Sequence, residues 1–149
     1  MLRKSANPVS ASNPRFFKIG PGDYAEHDRF LGVTVPALRK LAKTFEDLSL
    51  PDIKKLLQSR FNEERQLALF MLVNRYKQGN RTEKTRIYDF YLKHLAYVNN
   101  WNLVDASAHL IMGAELFNKN NKDKTILKSL AMSDNLWERR VAIVSTWTF

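Results

Sequence analysis

The chain has no cysteine, which excludes disulfides, thiolate metal sites and a cysteine nucleophile. Glycine and proline are scarce, five of each in 149 residues and mostly outside the apolar runs. An all-β chain of this length needs more turn residues, so long helices with short connections are expected. No apolar run approaches a membrane span, and residues 1–14 lack the apolar core of a signal peptide. The expectation is a soluble, cytoplasmic protein with no membrane partner. Acidic residues are also few: 15 Asp and Glu stand against 24 Lys and Arg, a net charge of +9. An excess of this size attracts polyanions, nucleic acid foremost, while saying nothing about fold. His27, His94 and His109 share no metal-ligand spacing, so no metal site is expected, and no serine sits in a nucleophile elbow. Gly20-Pro-Gly22 lacks the Lys-Ser/Thr ending of a phosphate loop and reads as a structural turn.

What is present is helical periodicity. A hydrophobic content of 44% suffices for one ordinary core. Residues 1–14 are polar with two prolines and read as a mobile arm; 15–149 read as a single domain. Thr34 caps a first helix with Pro36 in its opening turn and Leu38, Leu41, Ala42 and Phe45 at helical spacing. Ser49 caps a second, whose stripe is Ile53, Leu56 and Leu57. Asn62 opens a third, with Leu67, Ala68, Met71 and Leu72 facing inward, closed by Gly79-Asn80. Four more are expected over about 82–98, 100–117 and 123–132, and from 135 onward. Short connections make neighbours antiparallel, giving stacked helical hairpins. The last helix is still apolar at Trp147 and Phe149, whereas a solenoid closes on a polar cap, so the domain reads as incomplete at its C-terminus.

The hairpins repeat. Asn62-Glu-Glu-Arg-Gln-Leu-Ala68, Asn99-Asn-Trp-Asn-Leu-Val-Asp105 and Leu136-Trp-Glu-Arg-Arg-Val-Ala142 are spaced by 37 residues, and Ile53 to Ser59 matches Leu127 to Ser133 at twice that distance. This predicts an all-α, HEAT-like solenoid. Where two repeats carry Ala68 and Ala142, the middle one carries Asp105. Trp101, four residues earlier, shares its helix face. An aromatic beside a carboxylate can hold a sugar or base and set a negative charge against it. Arg139 and Arg140 open the equivalent helix of the next repeat, where a guanidinium could grip phosphate. Each also has a structural reading: Trp101 as a core aromatic, Asp105 as one half of an ion pair, Arg139-Arg140 as a solvated helix start, and Trp137 as a hairpin anchor. Lys54-Lys55 and Lys119 to Lys124 read as solvated faces rather than specific readers.

Asn99 to Asp105, Ser133 to Ile143 and Arg29-Phe-Leu-Gly-Val-Thr-Val-Pro36 together resemble the AlkD-type DNA alkylation repair family, with the likeness running from about Phe16 to the end. The resemblance implies a HEAT-like solenoid with a basic concave face, and a DNA glycosylase that excises cationic N3- or N7-alkylated purines from duplex DNA. It implies Asp105, Trp101 and Arg140 as the catalytic-cleft residues, with Arg139, Arg140 and Trp101 on the DNA. On that reading Asp105 stabilises an oxocarbenium-like sugar, Trp101 lies against the deoxyribose, and Arg140 holds the neighbouring phosphate. The enzyme would be a cofactor-free monomer. Two rivals are a non-catalytic DNA-binding solenoid of the same fold and a protein-binding helical-repeat adaptor.

Overall fold

The computed structural model describes residues 2–12, 16–118 and 124–149. Among these residues the fold is all-α, and the one trace of extended pairing is an isolated parallel bridge between Arg29 and Phe61. No helix is long and apolar enough to cross a membrane among the described residues. The chain forms two compact units, Met1–Met71 and Leu72–Phe149, divided within α4.

In the first unit, α1 (Pro8–Ser12) buries no residue, and α2 (Val35–Thr44), α3 (Leu50–Leu57) and the start of α4 (Asn62–Gln78) carry the core. The segment read as an arm holds a 3-10 turn, Leu2–Ser5, and α1. Asn7 N–H donates to Leu31 O at 2.8 Å, and Arg3 Nε to Glu64 Oε1 at 2.9 Å. Gly32 makes the first contact possible: its φ of +74° suits glycine, and a Cβ there would lie 2.3 Å from Asn7 O. Ser49 caps α3 through Asp52 N–H as expected, but Thr34 makes no side-chain cap, leaving Pro36 as the local signal that starts α2. The turn at Gly20-Pro-Gly22 is closed by Asp23, whose carboxylate accepts from Gly20 N–H at 2.9 Å.

The polar opening of α4 is buried because every charge there has a partner. Glu63 accepts from Leu31 and Gly32 N–H at 3.0 and 2.8 Å. Asp28, fully buried, is held by Arg65 and by Asn62 Nδ2 at 2.8 Å. Beyond these, Leu67 to Val73 are all buried, so α4 is covered nearly all round rather than on one stripe.

The second unit contains α5 (Arg81–Lys93), α6 (Trp101–Asp105), α7 (Ala114–Asn118), α8 (Thr125–Ala131) and α9 (Leu136–Ser145). Asn80 and Asn135 cap α5 and α9. Buried Glu115 pairs with Arg81 and accepts from Tyr76 at 2.9 Å. The expected helix over 82–98 ends at Lys93 and continues as a 3-10 turn, Leu95–Tyr97. The one expected over 100–117 is interrupted: α6 stops at Asp105, and a π-helical segment, His109–Gly113, precedes α7. At the break, Ser107 Oγ donates to Leu103 O at 2.7 Å and meets Tyr91 Oη at 3.0 Å. Lys119 to Asp123, from the lysine-rich stretch, lie outside the described residues.

The repeat has a structural signature at 74 residues. Arg65 Nη1 donates to Ser59 O at 2.8 Å, and Arg139 Nη1 donates to Ser133 O at 2.7 Å. In both copies an arginine in the first turn closes the loop that leads into its own helix.

Candidate functional site

Asp105 is the last residue of α6, a helix of five residues that starts at Trp101. Asn100 positions that start, its side-chain oxygen accepting from Trp101 N–H at 2.7 Å. The helix packs against α9, and this brings Asp105 to Arg140 across 35 residues of sequence. Arg140 Nε donates to Oδ1 at 2.9 Å and Nη2 to Oδ2 at 2.7 Å, a parallel two-bond fork. The two repeat equivalents of Asp105, Ala68 and Ala142, are 0% and 4% exposed, whereas its own side chain is 28% exposed and that of Arg140 40%. The acid therefore occupies a packing position that the short α6 leaves open to solvent.

The fork occupies one edge of the guanidinium and both carboxylate oxygens. Nη1 of Arg140 lies on the other edge, available to a further acceptor. The Asp105 hydrogen bonds are the largest influence on Arg140 and raise its pKa further against the opposing effect of burial, so it stays cationic at any working pH.

Of the residues expected at the site, Asp105 and Arg140 meet directly, and Trp101 stands one helical turn before Asp105, half-buried. Arg139 turns the other way, to Ser133 O. Among the described residues no group of three His, Asp or Glu could hold a metal ion.

Sequence reasoning missed the far side of the site. His109 lies four residues beyond Asp105, half-buried, its ring 5.7 Å from that of Trp147. Burial lowers its pKa, Lys77 lowers it further, and the charge and backbone of Asp105 work in the opposite direction. The imidazole is thus neutral near pH 7. Thr148 Oγ1 donates to His109 O at 2.7 Å, and Ser145 Oγ, which donates to Val141 O at 2.7 Å, lies 3.5 Å from Ala108 O. The pairs 105 with 140, 108 with 145 and 109 with 148 advance together, so the two segments run parallel. Gly113 permits their approach, since a Cβ there would lie 2.2 Å from Ser145 O. A glycine inside an apolar run was the one signal of this contact in the sequence.

Comparison with known proteins finds a family match over residues 1–149, to the family described as DNA alkylation repair enzyme. No curated protein and no solved structure matches the chain.

Proposed function

We propose a glycosylase reading for this chain, which belongs to the DNA alkylation repair enzyme family: it hydrolyses the N-glycosidic bond of cationic N3- or N7-alkylated purines in duplex DNA. Membership of the family carries the DNA repair role. The observation that supports the finer reading is the open fork between Asp105 and Arg140.

The charges decide how the fork could work. Alone, the pair is neutral and offers little to a cation. A phosphate taken on the free edge of Arg140 leaves the three groups with a net charge of −1, and the phosphate sits a fixed number of bonds from the sugar of the same nucleotide. Arg140 then sets the position of the carboxylate against the sugar while its own charge is balanced by the backbone. In the reaction the C1′–N bond breaks and its electron pair passes to the purine, which departs neutral. The sugar becomes an oxocarbenium-like cation, opposed by Asp105. Water adds at C1′ and releases a proton to solvent, leaving an abasic site. Trp101, at the entrance of α6, lies against the deoxyribose. Arg139 donates through Nη1 to Ser133 O, which keeps the loop before α9 in place, and its remaining guanidinium donors would meet the DNA backbone beside Arg140.

The same fork would also suit a purely structural ion pair in a non-catalytic DNA-binding protein. Titrating duplex DNA at two salt concentrations tests whether Asp105 is only a structural partner of Arg140, and absence of binding would favour a protein-binding adaptor. Arg140→Ala should bind more weakly, with a log–log salt slope shallower by about one, because one phosphate contact is gone. Asp105→Asn should retain nearly all affinity. Equal loss in both variants would make Asp105 structural and sink the catalytic reading.

A further inference from the structure

Three large apolar side chains on α9 and the turn that follows it are exposed: Leu136, Ile143 and Trp147 at 52, 64 and 62%. They stand at i, i+7 and i+11, and Arg140 stands at i+4, so the phosphate-gripping arginine and the exposed indole share one stripe. At 1.5 Å per residue Trp147 lies about 10 Å along the axis from Arg140, and a DNA strand carries one phosphate per ~3.4 Å of its own axis. A strand bound at Arg140 is therefore within a few nucleotides of the indole.

The indole is also held in place. The 3-10 turn Thr146–Thr148 carries it, Thr148 ties that turn to His109 O at 2.7 Å, and the His109 ring backs it at 5.7 Å with the planes 46° apart. An exposed tryptophan braced by a hydrogen bond, a second ring and the glycine contact at Gly113 loses little rotational freedom on binding.

Resting on the DNA-binding part of the function proposed above, we propose that Trp147 is a second DNA-contacting group, its indole face packing on a deoxyribose of the strand whose phosphate Arg140 holds. Charge selects this occupant over a second copy of the chain. Arg140 on the stripe is balanced by Asp105, so the local positive charge comes from Arg139 beside it and from Lys77, which acts on His109. Another molecule of charge +9 would be repelled, whereas a polyanion is drawn in. The charged groups that act on His109 are Lys77 and Asp105.

The test is a titration of the full chain with unmodified duplex DNA at two salt concentrations, using Trp147→Ala, Trp147→Phe and Arg140→Ala. Trp147→Ala should lose about tenfold in affinity, the scale of one aromatic stacking contact. Its salt slope should be unchanged, because an apolar contact releases no counterion. Trp147→Phe should recover most of the loss, and Arg140→Ala should instead change the slope. Wild-type affinity in Trp147→Ala, or a slope that falls with it, overturns the proposal. So does sedimentation showing a wild-type dimer that Trp147→Ala converts to monomer, which would give the stripe to a second copy. A wild-type chain that binds no duplex DNA fails the function reading itself; binding that ignores Trp147 fails only this one.

Discussion

Gly113→Ala is the sharpest structural perturbation of the site that leaves the Asp105–Arg140 fork itself unaltered. The added Cβ would lie 2.2 Å from Ser145 O, 2.7 Å from Thr148 Oγ1 and 3.2 Å from Ser145 C. Thr148 can rotate, but the Ser145 carbonyl is backbone and can yield only if the end of α9 moves. Carbon and carbonyl oxygen approach no closer than about 3.3 Å, so the required shift is roughly 1 Å. Forcing a methyl into a packed contact costs about 1–3 kcal/mol. For a chain of this size each kcal/mol lowers Tm by about 2–4 °C, giving an expected fall of roughly 2–12 °C by circular dichroism. The shift also loosens the bond of Thr148 to His109 O in the π segment, so the variant should bind duplex DNA more weakly at temperatures where it is fully folded. An unchanged Tm together with wild-type DNA affinity would refute the close packing of α9 on His109–Gly113.

Asp28→Asn leaves Arg65 charged and buried without its counterion, a loss of about 3–5 kcal/mol that a denaturant midpoint will register; a change below about 1 kcal/mol would contradict the buried pair. His109 should titrate below its ordinary 6.5 in an NMR pH series, because burial and Lys77 disfavour its cation. The unfolded chain then binds more protons than the folded one between the two pKa values, so this contribution is complete above 6.5 and is lost as pH falls through the folded value. His109→Gln should flatten that part of the stability profile, and a His109 pKa above 6.5 would reverse the sign and the reasoning with it.

The hairpins were legible because apolar spacing and caps are local: Ser49, Asn62 and Gly79-Asn80 mark ends that the structure places within a residue or two. The 37-residue repeat pointed to Asp105 by comparing packing positions, and the pairing with Arg140 follows from helices that stack side by side. Thr34 carried a cap signal without forming the bond, since Pro36 already fixes the turn. The π segment was not legible. Residues 100–117 keep a helical pattern, and the break is decided by Ser107, which satisfies Leu103 O and Tyr91, and by a contact of Gly113 that is remote in sequence. Arg139 and Arg140 look alike in sequence; which one faces α6 and which faces its own loop depends on helix phase to within one residue.

Release of free base from methylated duplex DNA tests the central claim most directly. Under single-turnover conditions the purified chain should liberate N3- and N7-alkylated purines and leave abasic sites. Asp105→Asn should do so about a hundredfold more slowly, the scale of removing one preorganised charge, with DNA affinity nearly unchanged. Excision that is absent from the unmodified chain, or equal in Asp105→Asn, would contradict the assignment of Asp105 as the group that stabilises the sugar cation.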